Sequence, residues 1–187
     1  MKKIYLDYAS TTPTDPRVLE AMNPYFFEEF GNPSSPHAFG QKARKAVEDA
    51  REIVARMIGA SSEEIVFTCG GTESNNQALF GVARALKDKG NHIIVSKIDH
   101  HSVLRPAEEL QAQGMKVTFL DVDQYGRVDP ETVRRAITPQ TVLIAVVHAS
   151  NEIGTVQPVA AIGRIARERG IYFHVDAVQT VGHIPVN

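Results

Sequence analysis

The sequence predicts an α/β fold built on one mostly parallel β-sheet. Short apolar, β-branched segments alternate with longer amphipathic segments, which is typical of strands joined by helices through right-handed crossovers. The segment 142–147 is apolar throughout, as expected of a parallel strand that helices cover on both sides. The 187 residues, 43% of them hydrophobic, are enough to bury one sizeable core.

Two helices are predicted near the N-terminus. Asp15 followed by Pro16 is typical of a helix start, and this helix would run toward Phe30 with a kink at Pro24. The second helix would pack through a stripe of apolar residues spaced three or four positions apart. That stripe consists of Ala43, Val47, Ala50, Val54 and Met57.

Five strands and four more helices are predicted after residue 60. The strands are β-branched runs bounded by turn residues, and several of the helices are followed by a glycine that would end them. The predicted strands are 65–68, 93–96, 117–120, 142–147 and 172–175, and the helices are 72–87, 102–113, 130–137 and 159–169.

Composition disfavours several classes of function. Twenty basic residues against 22 acidic ones give a formal charge of -2, and no basic cluster suggests a nucleic-acid partner. The longest apolar run, 142–147, is far shorter than the ~20 residues that span a bilayer. Asp7 interrupts the apolar stretch near the N-terminus, so no signal peptide is predicted. The single cysteine, Cys69, cannot form an internal disulfide, and we expect a cytoplasmic protein.

Polar residues follow four of the predicted strands. The carboxyl ends of parallel strands meet at one edge of the sheet, and an open α/β sheet binds its ligands there. The sequence therefore predicts a binding site assembled from several loops at that edge. The residues concerned lie in the segments 69–74, 99–101, 148–151 and 176–179.

The segment CGGTES, which begins at Cys69, has two interpretations. Its glycines and the helix that follows would offer free backbone N–H groups to a phosphate. Alternatively, it is a tight turn between a strand and a helix, with Thr72 as the N-cap. It matches neither of the common glycine-rich patterns for dinucleotides and nucleoside triphosphates, which weakens the case for those ligands.

Asp176, at the end of the segment YFHVD, also has two interpretations. Its carboxylate would either hold a heteroaromatic nitrogen of a ligand in the protonated form or cap the segment that follows. His100 and His101 would point in opposite directions on an extended segment, and no metal-ligand spacing accompanies them, so no metal site is predicted. An imidazole at a strand end can instead stack on an aromatic ligand or move protons, while His101 is expected to be a solvated loop residue.

Cys69 precedes a predicted helix start, which is expected to lower the pKa of its thiol. No paired base is evident in the sequence. We therefore interpret Cys69 as a small turn residue and not as a nucleophile.

Six segments resemble, in the same order, the class V aminotransferase family of fold type I pyridoxal-phosphate (PLP) enzymes, and within it the cysteine desulfurases. The resemblance implies a three-layer PLP-binding large domain, with residues 1–14 as an N-terminal arm and residues 15–187 as the first part of that domain, incomplete at its C-terminal side. The segments are YLDYASTTP from Tyr5, FGNPSSPHAFGQKAR from Phe30, IVFTCGGTESNN from Ile65, IDHHSVL from Ile98, HASNEIGTVQP from His148 and FHVDAVQTVG from Phe173.

The resemblance implies PLP as the cofactor and a catalytic role for His100, which would stack on the pyridine ring and move protons. The other matched residues would hold the cofactor. These are Gly71 and Thr72 at the phosphate, Asp176 at the pyridinium nitrogen, Gln179 near the ring hydroxyl, and Asn151 between that hydroxyl and the substrate carboxylate.

Two departures from the family pattern bear on activity. Cys69 stands where the family usually has serine, and Asn187 ends the chain before the Ser-x-His-Lys segment that carries the family's Schiff-base lysine. The persulfide-forming cysteine and the substrate-binding arginine would lie later still. We therefore expect this chain to be inactive alone and to hold PLP without a covalent bond or not at all.

Three hypotheses on function remain open. The first is a cysteine desulfurase, which converts L-cysteine to L-alanine and passes sulfur, as an enzyme-bound persulfide, to an acceptor or scaffold protein for iron-sulfur clusters or tRNA thiolation. We expect such an enzyme to form a homodimer, with no membrane and no direct nucleic-acid contact. The second is a non-catalytic interaction module, or half of a split enzyme, that keeps the fold. The third is a related class V aminotransferase or a selenocysteine lyase.

Overall fold

The computed structural model describes residues 3–186, which form two compact units. One unit contains the described residues up to Phe67 together with those from Ile184 onward, and the other is Thr68–His183. Within residues 3–186 there is no helix with the length and apolar character needed to cross a bilayer. The boundary proposed between residues 14 and 15 stays a prediction.

In the first unit, the predicted helix start at Asp15 is confirmed. The Asp15 carboxylate accepts a hydrogen bond from the Arg17 N–H at 2.8 Å, and Pro16 is the first helical residue. The prediction of one helix toward Phe30 is wrong, because Pro24 has no N–H to continue the ladder and begins a separate short helix. The two helices are α1, Pro16–Met22, and α2, Pro24–Phe27.

The long helix α3, Ala38–Met57, is followed by a 3₁₀ turn, Ser62–Glu64. The helix begins at a close approach of the preceding loop, since a side chain at Gly40 would place Cβ 2.3 Å from the Ser35 carbonyl oxygen. Its predicted apolar stripe is only partly covered, since Ala43 is buried and Val47 and Val54 are half-buried, whereas Ala50 and Met57 are exposed. Part of the stripe lines a shallow apolar groove with aromatic residues of the same unit. These groove residues include Tyr25, Phe30, Ala43, Val47, Ala50 and Phe67.

The prediction of a strand at 65–68 is wrong. This segment is extended but has no partner strand among the described residues. The Ile65 carbonyl accepts a hydrogen bond from Arg51 Nη1 at 2.6 Å, and the Arg51 guanidinium lies 4.8 Å from the centroid of the Phe67 ring. Val66 is 68% exposed, so its β-branched side chain does not rest on a pleated, half-buried surface.

The second unit is built on a four-stranded sheet in which every pairing is parallel. The remaining four predicted strands are confirmed, and the spatial order is β2-β1-β3-β4. The chain leaves β1 toward β2 on one side and later continues from β3 to β4 on the other, so the direction of winding reverses between β1 and β3. The strands are β1, His92–Ser96; β2, Lys116–Leu120; β3, Thr141–Val147; and β4, Tyr172–Asp176.

Helices cover both faces of this sheet, which confirms the predicted three-layer α/β fold. Ile93 and Val95 pack with α4 and α5 on one face, whereas Ile94 packs with α6 and α7 on the other. All seven residues of β3 are buried, in agreement with the burial predicted for the apolar run 142–147. The helices are α4, Gly71–Ala85; α5, His101–Ala112; α6, Pro130–Ala136; and α7, Val159–Glu168.

Candidate functional site

The candidate site lies in the second unit, where the carboxyl ends of β1, β3 and β4 meet the N-termini of α4 and α5. Asp176 is the last residue of β4, and its side chain is nearly enclosed, with the residue 7% exposed. Its Oδ2 accepts a hydrogen bond from Asn75 Nδ2 of α4 at 2.8 Å. Its Oδ1 accepts one from the Val178 N–H at 3.1 Å. Asp176 therefore caps the turn that follows it, as one interpretation predicted. It also places a carboxylate at the ligand-binding edge, as the other interpretation requires.

The N-terminus of α4 is open. The helix begins at Gly71 with Gly70 as the N-cap residue, so the interpretation of Thr72 as the N-cap is wrong. Within the described residues no side chain caps this end, and the N–H groups of the first turn stay available. A Cβ added at Gly71 would meet its nearest neighbour, Val178, at 3.8 Å. There is therefore room beside these donors for an anion.

His100 is the N-cap residue of α5. Its Nδ1 accepts a hydrogen bond from the Ser102 N–H at 3.1 Å and lies 2.7 Å from Ser102 Oγ. His101 is exposed, as expected of a solvated residue, but it is the first residue of α5 and not a loop residue. The two imidazole centroids are 6.2 Å apart. Among residues 3–186, no group of three or more candidate ligands is arranged to hold a metal ion.

A buried amide that the sequence analysis did not identify connects these residues. Asn75, 3% exposed, donates from Nδ2 to Asp176 Oδ2 and to Ser102 Oγ, each at 2.8 Å. Its Oδ1 lies 2.8 Å from His174 Nε2. The carboxylate of β4 and the imidazole at the start of α5 thus belong to one hydrogen-bond network that passes through α4.

Thr72 is linked to the same region through Asn76, whose Nδ2 donates to the Thr72 carbonyl at 2.8 Å and to the Ser102 carbonyl at 3.4 Å. Thr72 and His100 also line one cavity of about 750 Å³ between the starts of α4 and α5. Four of the predicted residues, Gly71, Thr72, His100 and Asp176, are therefore brought together.

Asn151 and Gln179 lie in the turns that follow β3 and β4. Asn151 is exposed in the turn after β3, and no hydrogen bond joins it to the network within residues 3–186. Gln179 is half-buried in the turns that follow Asp176. Their roles at a ligand ring stay predictions.

Asp99 is a second buried carboxylate at this edge, and sequence reasoning assigned it no role. Its Oδ2 accepts a hydrogen bond from the Ser96 N–H at 2.9 Å, and its Oδ1 accepts one from the Val147 N–H. It therefore ties the end of β1 to the end of β3, where the winding of the sheet reverses. Burial raises the pKa of the Asp99 carboxyl to about 7, against the opposing effect of these two donors.

Cys69 behaves differently from the expectation. Its thiol lies beside the Glu73 carboxylate, and the hydrogen bond and negative charge of that group raise the pKa of Cys69. The expected lowering by the helix N-terminus is therefore wrong. The interpretation of Cys69 as a turn residue agrees with its exposed position before α4.

Comparison with known proteins agrees with the fold. Residues 4–187 match the family described as aminotransferase class-V. The chain is 56% identical over its full length to cysteine desulfurase IscS of Dictyoglomus turgidum, of which it covers 47%. It is 51% identical to the putative cysteine desulfurase IscS 1 of Bacillus subtilis, of which it covers 49%.

Solved structures give the same result. A structure described as SspA in complex with cysteine superposes with a TM-score of 0.95 at 43% identity, over 98% of this chain and 53% of that one. A NifS-like protein superposes with a TM-score of 0.96 at 39% identity, over 100% of this chain and 52% of that one. The chain spans about half the length of these relatives. The fold is that of the type I PLP enzymes, and the chain belongs to the aminotransferase class-V family.

Proposed function

We propose that the chain provides the cofactor-binding part of a PLP-dependent cysteine desulfurase. The observation that carries the proposal is the network in which Asn75 joins the buried Asp176 carboxylate to Ser102 and His100, beside the open N-terminus of α4. The names of the similar proteins, cysteine desulfurase and NifS-like protein, support the same activity.

The residues present fit the chemical groups of PLP. The uncapped N–H groups at Gly71 and Thr72, at the positive end of α4, suit a phosphate dianion. Asp176 supplies a buried carboxylate that can hold a pyridinium nitrogen in the protonated form. His100, bonded to Ser102 at the end of the same network, supplies a flat imidazole. Asn151 and Gln179 would contact the ring hydroxyl and the substrate carboxylate.

When bound, PLP supplies an electron sink for the bonds of the amino-acid substrate. The protein residues orient the cofactor and move protons. Asn75 and the Val178 N–H each donate a hydrogen bond to one oxygen of Asp176, and these bonds fix the orientation of its carboxylate. His100, fixed by two contacts to Ser102, moves protons at the substrate and cofactor. Sulfur would leave L-cysteine for a cysteine thiolate, and L-alanine would remain.

Partners and location belong to the same proposal. L-cysteine would be the substrate, a sulfur acceptor or scaffold protein would receive the persulfide sulfur, and the enzyme would act as a cytoplasmic homodimer. Exposed apolar side chains within the first unit, such as Phe26 and Phe27, are consistent with contacts to a further polypeptide.

The test is a chimaera in which this chain is continued by the C-terminal half of the Dictyoglomus turgidum relative. After reconstitution with PLP, we expect cofactor absorbance, and we expect L-alanine and sulfide to form from L-cysteine in the presence of a thiol reductant. Asp176→Ala should abolish both signals. Asp88→Ala, at an exposed turn position, is the matched control and should keep both.

The outcome separates the proposed function from its alternatives. Cofactor absorbance without sulfide release, but with amino transfer to a keto acid or release of selenide from selenocysteine, would replace desulfurase with a sister activity. A folded chimaera that takes up no PLP would overturn the proposal and favour a non-catalytic module.

A further inference from the structure

The orientation of the buried Asn75 amide is fixed by its neighbours. An ionised carboxylate can only accept hydrogen bonds, so the amide must turn its NH₂ toward Asp176 Oδ2. Its second N–H then points to Ser102 Oγ at 2.8 Å. The amide oxygen faces His174 Nε2 at 2.8 Å, which therefore carries a proton and donates.

The Ser102 hydroxyl has one proton to donate. Its oxygen already accepts from Asn75, and the nearest acceptor left for its proton is His100 Nδ1 at 2.7 Å. The Ser102 backbone N–H donates to the same nitrogen at 3.1 Å. A ring nitrogen that accepts two hydrogen bonds cannot itself hold a proton, so neutral His100 carries its proton on Nε2.

We infer that Asn75 and Ser102 are positioning residues for His100, which set the tautomer of its imidazole. The Asp176 carboxylate fixes the orientation of the Asn75 amide, the amide fixes the direction in which the Ser102 hydroxyl donates, and that hydroxyl donates to His100 Nδ1. The consequence for function rests on the proposed role of His100 in proton transfer. Nδ1, the acceptor nitrogen of this tautomer, is occupied by the two hydrogen bonds from Ser102, so Nε2–H is the group left to donate to a ligand.

The test is NMR of the chain with ¹⁵N,¹³C-labelled histidine, without PLP, at a pH where the imidazoles are neutral. Long-range correlations within each ring identify which nitrogen carries the proton. We expect His100 and His174 both to have the proton on Nε2. Ser102→Ala should increase the Nδ1-protonated form of His100 about fivefold, which is the change in equilibrium that one ordinary hydrogen bond produces.

Variants of the two neighbouring asparagines separate positioning from general packing. Asn75→Leu should shift the ring signals of both His100 and His174, because His174 loses the amide oxygen and the Ser102 hydroxyl, which bonds His100, loses the amide N–H. Asn76→Ala is the matched control, since Asn76 contacts the Ser102 carbonyl and not its hydroxyl, and it should leave both rings unchanged. Ser102→Cys, with a side chain of similar size and a weaker donor, gives a smaller change in the same direction if Ser102→Ala does not fold.

A His100 protonated on Nδ1 in the unmodified chain would overturn the inference, with no variant required. So would folded Ser102 variants whose His100 signals match those of the unmodified chain. These measurements need no cofactor and no turnover, so they are independent of the chimaera test. A chain that fails to take up PLP can still show the tautomer, and an active chimaera can still lack it.

Discussion

The pH dependence of stability at Asp99 provides the sharpest test of the physical picture. The carboxyl is 5% exposed and accepts hydrogen bonds from the N–H groups of Ser96 and Val147, which hold the ends of β1 and β3 together. Burial raises its pKa from 3.8 to about 7, and the nearby charge of Asp176 adds to the rise. The folded protein therefore retains a proton that the unfolded chain has already lost.

The sign follows from this difference in proton binding. A carboxyl whose pKa is raised by folding contributes stability that is fully present below the unfolded pKa and is lost as pH rises through the folded pKa. At about 1.4 kcal/mol per pKa unit, the loss from Asp99 between pH 5 and pH 8 is about 3 kcal/mol. Asp99→Asn cannot ionise, and its amide resembles the protonated acid in shape.

We therefore expect the Asp99→Asn variant to lie within about 1 kcal/mol of the unmodified chain at pH 5, since it forgoes one hydrogen bond. From pH 5 to pH 8 its stability relative to the unmodified chain should rise by about 3 kcal/mol, which leaves it more stable by about 2 kcal/mol at pH 8. The measurement is urea unfolding of both proteins at pH 5, 6, 7 and 8. Effects of the histidines are common to both proteins and cancel in the difference.

Asp88→Asn, at an exposed turn position, is the matched control, and its difference from the unmodified chain should change little with pH. A difference for Asp99→Asn that stays constant within about 0.5 kcal/mol from pH 5 to pH 8 would refute the reasoning. The carboxyl would then be ionised in the folded protein at all of these pH values.

Four other substitutions test three separate features of the chain. Gly90→Ala should destabilise the chain by about 2 kcal/mol or more in urea unfolding, because the new Cβ would lie 2.3 Å from a backbone carbonyl oxygen. Gly81→Ala, where a Cβ meets nothing within 4 Å inside α4, should instead stabilise it by up to about 1 kcal/mol, and equal effects at the two sites would contradict the packing. His92 is buried between threonine hydroxyls at 2.7 and 2.9 Å, and burial lowers its pKa, so the stability it contributes should be present above about pH 6.5 and be lost as pH falls below it. His92→Ala should cost about 2 kcal/mol at pH 8 and flatten this acid loss, and an unchanged pH profile would count against the neutral imidazole. Glu73→Gln should lower the pKa of Cys69 and speed its alkylation by iodoacetamide several-fold at pH 8, and equal rates would show that Glu73 does not control the thiol.

The sheet of the second unit was predictable because its signal is local. Each strand there contains a short apolar run between turn residues, and β3 is apolar at every position after Thr141, so burial on both faces follows from its amino-acid sequence alone. The segment 65–68 has a similar amino-acid composition but is not a strand. What differs is the presence of a partner strand, which is a tertiary property that β-propensity does not report.

The site was predictable only in part, for a related reason. The rule that ligands bind at the carboxyl ends of parallel strands identified Asp176, which ends β4, and His100, which lies shortly after the end of β1. The roles of Asp99 and Ser102 depend on pairings across elements. Asp99 reaches the Val147 N–H, which is 48 residues away along the chain, and no spacing rule connects them.

The position of Asn75 in the helical repeat of α4 could have identified it from the sequence. The buried residues of α4 are Asn75, Leu79 and Ala83, spaced four apart on one face of the helix. An amide in a core stripe is costly unless each of its polar atoms has a partner. Here both N–H groups and the oxygen are bonded, to Ser102, Asp176 and His174. The sequence alone therefore contains an indication of this role. A polar residue on the buried face of a helix, directly after a predicted anion-binding turn, is expected to support the residues that contact the ligand.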